Sequence, residues 1–312
     1  MKSKKVKLVG LLVLIASFYI VSCKKDDSDT FTEGKHRITI NIDNVSREFY
    51  IHVPKNYTNS ISYPVVIMCH GTGGNGLKFY NISGWTDVGD EEGIITVFPS
   101  SGEYCINDNG VQENTSKWNA PGSFDFCSGV VPLNDQKFME QMITWLDNNI
   151  SIDMKRIHIV GFSNGGSFAS YCGFTMTNIF ASAVSASGAT IGDTTFNVAD
   201  KIPIILQVGN SDPKFTSTPF PMDLESLFSQ DPTVQSIIST YKSSLGLAEM
   251  PSYSGNVNQY LQADFLPVNT SENHFFKFIL VKDLEHNYPN GTNHPMKGAQ
   301  EHWNMIKNIS KL

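Results

Sequence analysis

Apolar and polar residues alternate in two short stretches near the start of the chain, "HRITINID" and "REFYIHVP", on either side of Asn44. A period of two around a turn residue predicts an antiparallel hairpin at a sheet edge. Downstream the alternation stops. "YPVVIMCH", "GIITVFP", "RIHIVG", "ASAVSASG" and "IPIILQVG" are short apolar runs, several of them β-branched, each ended by Gly, Pro or His. Such runs fit strands buried on both faces, as in a parallel sheet covered by helices. Between them "NDQKFMEQMITWLDNN", "GGSFASYCGFTM" and "DPTVQSIISTYKSSLG" predict helices, with Phe138, Met142, Trp145 and Leu146 on one face of the first. A last strand, "FFKFILVK", precedes a closing helix around "GAQEHWNMIKNI". Alternating strands and helices predict a single α/β domain over residues 36–312, undivided by a linker or repeat.

The first 23 residues stand outside that pattern. Lys2, Lys4, Lys5 and Lys7 precede the uncharged stretch "LVGLLVLIASFYIV", a secretory-signal layout whose apolar run is short for a stable span. Ile20-Val21-Ser22-Cys23 resembles a bacterial lipobox, which implies cleavage before Cys23 and lipidation of that cysteine. A plain secretory signal or an uncleaved anchor is the alternative. Residues 24–35, "KKDDSDTFTEGK", are polar and aperiodic and predict a tether. Their lysines and aspartates look like the surface-export tag of Bacteroidetes lipoproteins. These resemblances imply an exported chain, anchored by lipid to the outer membrane or cell surface and touching the membrane through that anchor only.

Loss of the four signal lysines takes the formal charge from −7 to −11. A balance of that sign excludes nucleic acid as an expected partner. Of the five cysteines, Cys69 and Cys172 lie in apolar runs as buried thiols. Cys105 and Cys127 flank a loop rich in Gly, Asn and Ser, so they are either a disulfide or two free thiols. No C-x-x-C pair or His cluster at metal spacing occurs, so no metal or other cofactor is expected. The oligomeric state has no signature.

The chemistry concentrates at "RIHIVGFSNGGSF", residues 156–168. A strand, then Gly161-Phe-Ser163-Asn-Gly165, then a helix is the context of a nucleophile elbow. A serine on such a strained turn needs neighbours with almost no side chain, which Gly161 and Gly165 supply, while Gly166 lets the helix start close to the sheet. The serine needs a base and an orienting acid, and functional groups gather beyond the carboxyl ends of parallel strands. Asp212 follows "IPIILQVGNS" and His286 follows "FFKFILVKDLE", in the order Ser163, Asp212, His286 that the elbow demands. Rival bases are His294, in a polar stretch late after the strand, and His302, on the closing helix. Rival acids are Asp193 and Asp200, in a loop before their strand, and Asp283, at the end of the strand that delivers the histidine. "HGTGGNG", His70 to Gly76, follows the strand "PVVIMC", and its glycines, Gly71 among them, allow close approach to a substrate oxygen. The expected oxyanion donors are the backbone N–H groups of Thr72 and Asn164, with His70 a structural hydrogen-bonding residue.

With these residues in place, the chain resembles the secreted esterases grouped with poly(3-hydroxybutyrate) depolymerases and feruloyl or acetylxylan esterases. The resemblance runs through "REFYIHVPKNY", "VVIMCHGTGGNG", "GWTDVGDEEGIITVFP", the "WN" at Trp118, the "ND" before Phe138, "GFSNGGS" and "FASAVSASGA". It implies an α/β-hydrolase fold, with a mostly parallel central sheet, an N-terminal antiparallel hairpin and helices on both faces. Two segments depart from it: "QVGNSDP" keeps only the glycine and aspartate of a histidine-glycine-threonine acid motif. "EHNYP" has Glu285 where the base motif has glycine and Tyr288 where it has tryptophan.

The expected function is therefore a serine carboxylic-ester hydrolase acting through an acyl-enzyme on feruloyl or acetyl esters of a polysaccharide. A hydroxyalkanoate polyester or its oligomers is the competing substrate. A serine peptidase of the same fold and a catalytically silent, glycan-binding surface lipoprotein are the readings from other classes. Residues 213–274, with Phe215, Phe220 and Phe228, are the candidates for the acyl pocket.

Overall fold

The computed structural model describes residues 31–108, 110–120, 126–189, 196–198 and 200–311. Cys23, with the rest of the expected signal, and Asp193 lie outside the described residues. The expected hairpin is β1 (Gly34–Ile42) and β2 (Val45–Val53), joined at Asp43 and Asn44, both at positive φ. β1 begins two residues inside the expected tether.

β3 (Tyr63–Cys69) is followed by α1 (Gly76–Ile82), α2 (Trp85–Glu92) and β4 (Ile95–Pro99). β5 (Gly102–Asp108) and β6 (Val111–Lys117) form a separate two-stranded sheet. Then come α3 (Asp135–Asn149), β7 (Ile152–Phe162), α4 (Asn164–Thr175), β8 (Ser182–Ala186) and β9 (Ile204–Gly209). α5 (Leu224–Gln230), α6 (Pro232–Leu245), β10 (Ser252–Asn256), β11 (Tyr260–Phe265), β12 (Phe276–Val281) and α7 (Gly298–Ile306) complete the chain. Local signals set several of these bounds. α6 starts where the Asp231 carboxylate accepts the Val234 N–H at 2.9 Å and Pro232 pre-sets the first turn, and it stops at Gly246 in the left-handed region.

The main sheet has ten strands in the order β1-β2-β4-β3-β7-β8-β9-β12-β11-β10. The six from β4 to β12 are mutually parallel, and antiparallel pairs extend both edges. Alternate residues of the parallel strands feed two cores. Val65, Ile67 and Cys69 face α3, α4 and α6, while Val66 and Met68 face α1, α2 and α7. That is why their sequences are apolar throughout rather than alternating.

The polar strands β5, β6 and β10, and β11 beside β12, carry no such run, and the sequence did not announce them. A disulfide ties Cys105 of β5 to Cys127, beyond the end of β6, and the Cys127 N–H donates to the Cys105 carbonyl at 3.0 Å. Replacing both cysteines with serine removes a cross-link over 22 residues. The unfolded-chain entropy it restrains is worth about 3 kcal/mol. A Tm lower by several degrees is expected in thermal unfolding, and an unchanged Tm contradicts it.

Candidate active site

The direction of strand succession reverses between β3 and β7: β4 lies on one side of β3, and β7, β8, β9 and β12 follow on the other. A crevice opens beyond the carboxyl ends of strands at such a reversal. The two loops that meet there are the glycine-rich segment after β3 and the turn from β7 into α4.

Ser163 is that turn. Its φ of 53° and ψ of −124° lie where L-residues are strained. Its N–H donates to the Ala186 carbonyl at 2.8 Å, and its carbonyl accepts from the Ser167 N–H at 2.9 Å. The flanking glycines are steric necessities. A Cβ on Gly161 would overlap the Gly165 carbonyl, and one on Gly165 would overlap the carbonyls of Cys69 and His70. A Cβ on Gly166 would stand 2.6 Å from Ser185 Oγ, and one on Gly71 would stand 3.1 Å from the Ser163 Cβ. Gly188, which sequence reasoning passed over, is equally tight, since a Cβ there would overlap the Ser163 carbonyl. Its signal in the sequence was a glycine just past the strand beside β7.

Asp212 and His286 arrive on loops stitched to each other. The Asn210 N–H donates to the Val281 carbonyl at 2.9 Å, Ser211 N–H to the Leu284 carbonyl at 3.2 Å, and Asp283 N–H to Asn210 Oδ1 at 2.6 Å. Asp212 is fully buried, and His286 keeps one edge open at 20% exposure. The imidazole bridges serine and acid. Nε2 lies 2.9 Å from Ser163 Oγ, and Nδ1 lies 2.9 Å from each carboxylate oxygen of Asp212. An ionised carboxylate only accepts, so Nδ1 carries the proton and Nε2 faces the serine hydroxyl as acceptor.

The rivals have other occupations. His294 Nε2–H donates to the Lys282 carbonyl at 2.9 Å, and its Nδ1 accepts from the Met296 N–H at 3.1 Å. Asp283 is exposed and pairs with the Lys282 ammonium, and Asp200 is exposed beyond the opposite ends of the strands. His302 ends a buried relay. Trp85 Nε1–H donates to the Tyr288 hydroxyl at 2.9 Å, which donates to His302 Nδ1 at 3.0 Å; His302 Nε2–H then donates to Gln207 Oε1 at 2.9 Å. Tyr288 thus uses its hydroxyl as well as its ring, packing 6.4 Å from Phe162, whose ring is 5.1 Å from His286. Glu285 points to solvent.

The Thr72 N–H, one expected oxyanion donor, has no protein acceptor among the described residues. Asn164, the other, opens α4, where helix N–H groups lack intrahelical partners. Sequence reasoning missed how firmly both are held. Asn164 Oδ1 accepts from the Trp118 N–H at 2.7 Å, and Trp118 Nε1–H donates to the His70 carbonyl at 2.9 Å. Ser116 at the end of β6 clamps the glycine loop: its carbonyl accepts the Gly73 N–H at 2.9 Å and its hydroxyl donates to the Gly74 carbonyl at 2.5 Å. His70 is structural, as expected, accepting the Ser101 N–H on Nε2 and donating from Nδ1 to the Gly71 carbonyl.

The aromatic candidates for the acyl pocket fare differently. Phe220 is buried in the core, and Phe215 lies in the turn after Asp212. Phe228 packs against Tyr253, Phe265 and Phe278 at the β10–β12 edge, a core role that an isolated phenylalanine in the sequence does not reveal.

The Esterase family model matches residues 41–240, which includes the glycine-rich loop, Ser163 and Asp212. The chain belongs to the Esterase family. An acetylxylan esterase A from Aspergillus ficuum is 23% identical over 147 residues, 46% of this chain and 43% of that protein. A bifunctional acetylxylan esterase/xylanase from Neocallimastix patriciarum is 23% identical over 145 residues, 46% of this chain and 18% of that protein. The chain thus spans less than half the length of these curated relatives. The solved acetyl xylan esterase from Aspergillus awamori covers 86% of this chain and 99% of its own, with a TM-score of 0.56 at 15% identity. An S-formylglutathione hydrolase from Agrobacterium tumefaciens covers 86% of this chain and 93% of its own, with a TM-score of 0.51 at 11% identity. At these identities the likeness is one of fold, and the fold of this Esterase-family chain is the α/β-hydrolase fold. Among the described residues, no group of His, Cys, Asp or Glu is placed to hold a metal ion.

Three histidines of this esterase fold are held neutral by burial: the pKa of His70 is lowered to about 4, and those of His158 and His302 to about 3. In the unfolded chain they titrate near 6.5. Below that pH the unfolded state binds protons that the folded state refuses, so stability falls as pH drops from about 6.5 towards 4. Each histidine contributes a slope approaching 1.4 kcal/mol per pH unit. Urea midpoints measured at pH 7.5, 6 and 5 are expected to decline steeply below pH 6, and a flat series contradicts the reading.

Proposed function

We propose that this chain is a serine carboxylic-ester hydrolase that works through a Ser163 acyl-enzyme, with feruloyl or acetyl esters of a polysaccharide as its substrates. The observation that carries the mechanism is the unbroken line from Ser163 Oγ through the His286 ring to both oxygens of Asp212, each step at 2.9 Å. In the reaction, His286 Nε2 takes the Ser163 proton as Oγ bonds to the ester carbonyl carbon. Backbone N–H groups of Thr72 and Asn164 hold the carbonyl oxygen as it becomes an oxyanion. His286 returns the proton to the departing alcohol, and the C–O bond breaks. Water then attacks the acyl-serine by the same route, giving the acid and the free serine. Asp212 fixes the imidazole tautomer and balances its charge when protonated.

The substrate reading is supported by acetylxylan esterases among the relatives. The further reading is that Cys23 is lipidated and tethers residues 36–312 outside the cytoplasm, where a disulfide such as Cys105–Cys127 persists. The test is turnover of p-nitrophenyl acetate, methyl ferulate, acetylated xylan and a hydroxybutyrate oligomer. Hydrolysis of acetylated xylan or methyl ferulate is expected, with the hydroxybutyrate oligomer slower. Hydroxybutyrate as the best substrate overturns the polysaccharide assignment, and no turnover of any ester overturns the hydrolase.

A further inference from the structure

A second cavity of about 630 Å³ opens between the β10–β11 turn, the end of β12 and the start of α7. It lies at the same edge of the sheet as the triad. Lys282 and Asp283 follow the carboxyl end of β12, and the Lys282 N–H donates to the Gln259 carbonyl at 2.9 Å, which fixes the turn beside it. β12 stands three strands from β7, roughly 14 Å across the sheet at the usual strand spacing. The chain that leaves the cavity at Asp283 delivers His286 three residues later.

The wall chemistry is specific. Asn258, Gln259, Tyr260, Lys297 and Glu301 all line the cavity, and their side-chain amides, hydroxyl, ammonium and carboxylate have no protein partner among the described residues. Charges cancel: Lys282 is paired with Asp283, and Lys297 stands against Glu301. An anion or a cation would therefore meet as much repulsion as attraction, whereas a neutral, hydroxyl-rich ligand can use the unpaired side chains of Asn258, Gln259, Tyr260, Lys297 and Glu301 as donors and acceptors. The half-buried Tyr260 ring and Met296 add an apolar surface of the kind that packs on the C–H face of a sugar ring.

We propose that this cavity binds a length of neutral glycan chain and holds a polysaccharide whose ester group lies at Ser163. The proposal deepens the polysaccharide-ester reading and rests on it for its link to turnover, but binding in the cavity requires no ester. The test therefore separates the two. The full chain carrying Ser163→Ala is titrated calorimetrically with xylohexaose and with hexagalacturonate, with and without Tyr260→Ala and Gln259→Ala.

Saturable binding of xylohexaose but not hexagalacturonate is expected. The paired substitutions should weaken it about tenfold, the loss of one ring contact and one hydrogen-bonding amide. In the active chain, the same pair should raise KM for acetylated xylooligosaccharides by a similar factor, with kcat and all p-nitrophenyl acetate kinetics unchanged. No xylohexaose binding, equal binding by the substituted chain, or tighter hexagalacturonate binding overturns the proposal. A chain that binds xylohexaose through these residues yet leaves acetylated xylooligosaccharides intact upholds the cavity and overturns the substrate reading.

Discussion

Ser163→Ala is expected to lower kcat on p-nitrophenyl acetate by at least about 10⁴-fold, with the fold intact. The hydroxyl is the only atom removed, and it stands 2.9 Å from the base that would activate it. Among the described residues, no other hydroxyl or thiol is hydrogen-bonded to His286 Nε2 to take its place. The backbone cost is small, because alanine occupies the left-handed region at φ 53° no worse than serine, and the hydrogen bonds that set the turn belong to the main chain. Thermal unfolding should therefore change by no more than a few degrees. A fluorophosphonate should phosphonylate the parent, with loss of fluoride and a gain of the reagent's mass less HF, and leave the variant unlabelled. Residual turnover above about one per cent would place the nucleophile elsewhere, since loss of the attacking atom removes the acyl-enzyme route entirely.

Much of this site was legible because its constraints are local. Gly161, Ser163 and Gly165 form one turn, and the apolar run before them can only be a strand buried on both faces, so the elbow declares itself in thirteen residues. Asp212 and His286 were findable because a parallel sheet sends the ends of its strands to one edge, which makes the residue just past each strand a candidate. What stayed hidden depends on contacts between distant segments. Ser116, and Trp118 just past it, secure the glycine-rich loop and the start of α4 from the end of a polar hairpin with neither helical nor strand periodicity, whose register follows from cross-strand pairing, not from its own residues. Gly188 is required by the approach of the Ser163 carbonyl, and Tyr288 by a relay to His302 and Gln207; neither partner is near in sequence. Phe228 shows the converse, an aromatic residue in the right region whose ring is spent on the sheet edge. Strand order itself, with β12 between β9 and β11, is a non-local choice that periodicity leaves open.

Asp212→Asn should cost nearly as much as loss of the nucleophile, about 10⁴-fold in kcat at neutral pH, with KM little changed. The reason is tautomeric. The carboxylate accepts the Nδ1 proton through both oxygens, and Oδ1 also accepts the Lys214 N–H at 2.9 Å, which fixes that oxygen as an acceptor. An asparagine that keeps the Lys214 contact with its oxygen turns its NH₂ towards His286. The ring then avoids a donor-to-donor clash by moving its proton to Nε2, where it points at Ser163 Oγ and can no longer remove the hydroxyl proton. Size and shape hardly change, so Tm should stay near that of the parent and a structural explanation of the lost rate is closed off. Asp283→Asn is the matched control. That carboxylate is exposed and, among the described residues, pairs with Lys282 alone, and its substitution should leave kcat within about twofold, the scale of an exposed ion pair. Were the two variants to fall together, Asp212 would not be the orienting acid and the geometry at Nδ1 would be incidental. A large loss in Asp212→Asn alone ties the rate to the proton that Asp212 holds on the far side of the ring.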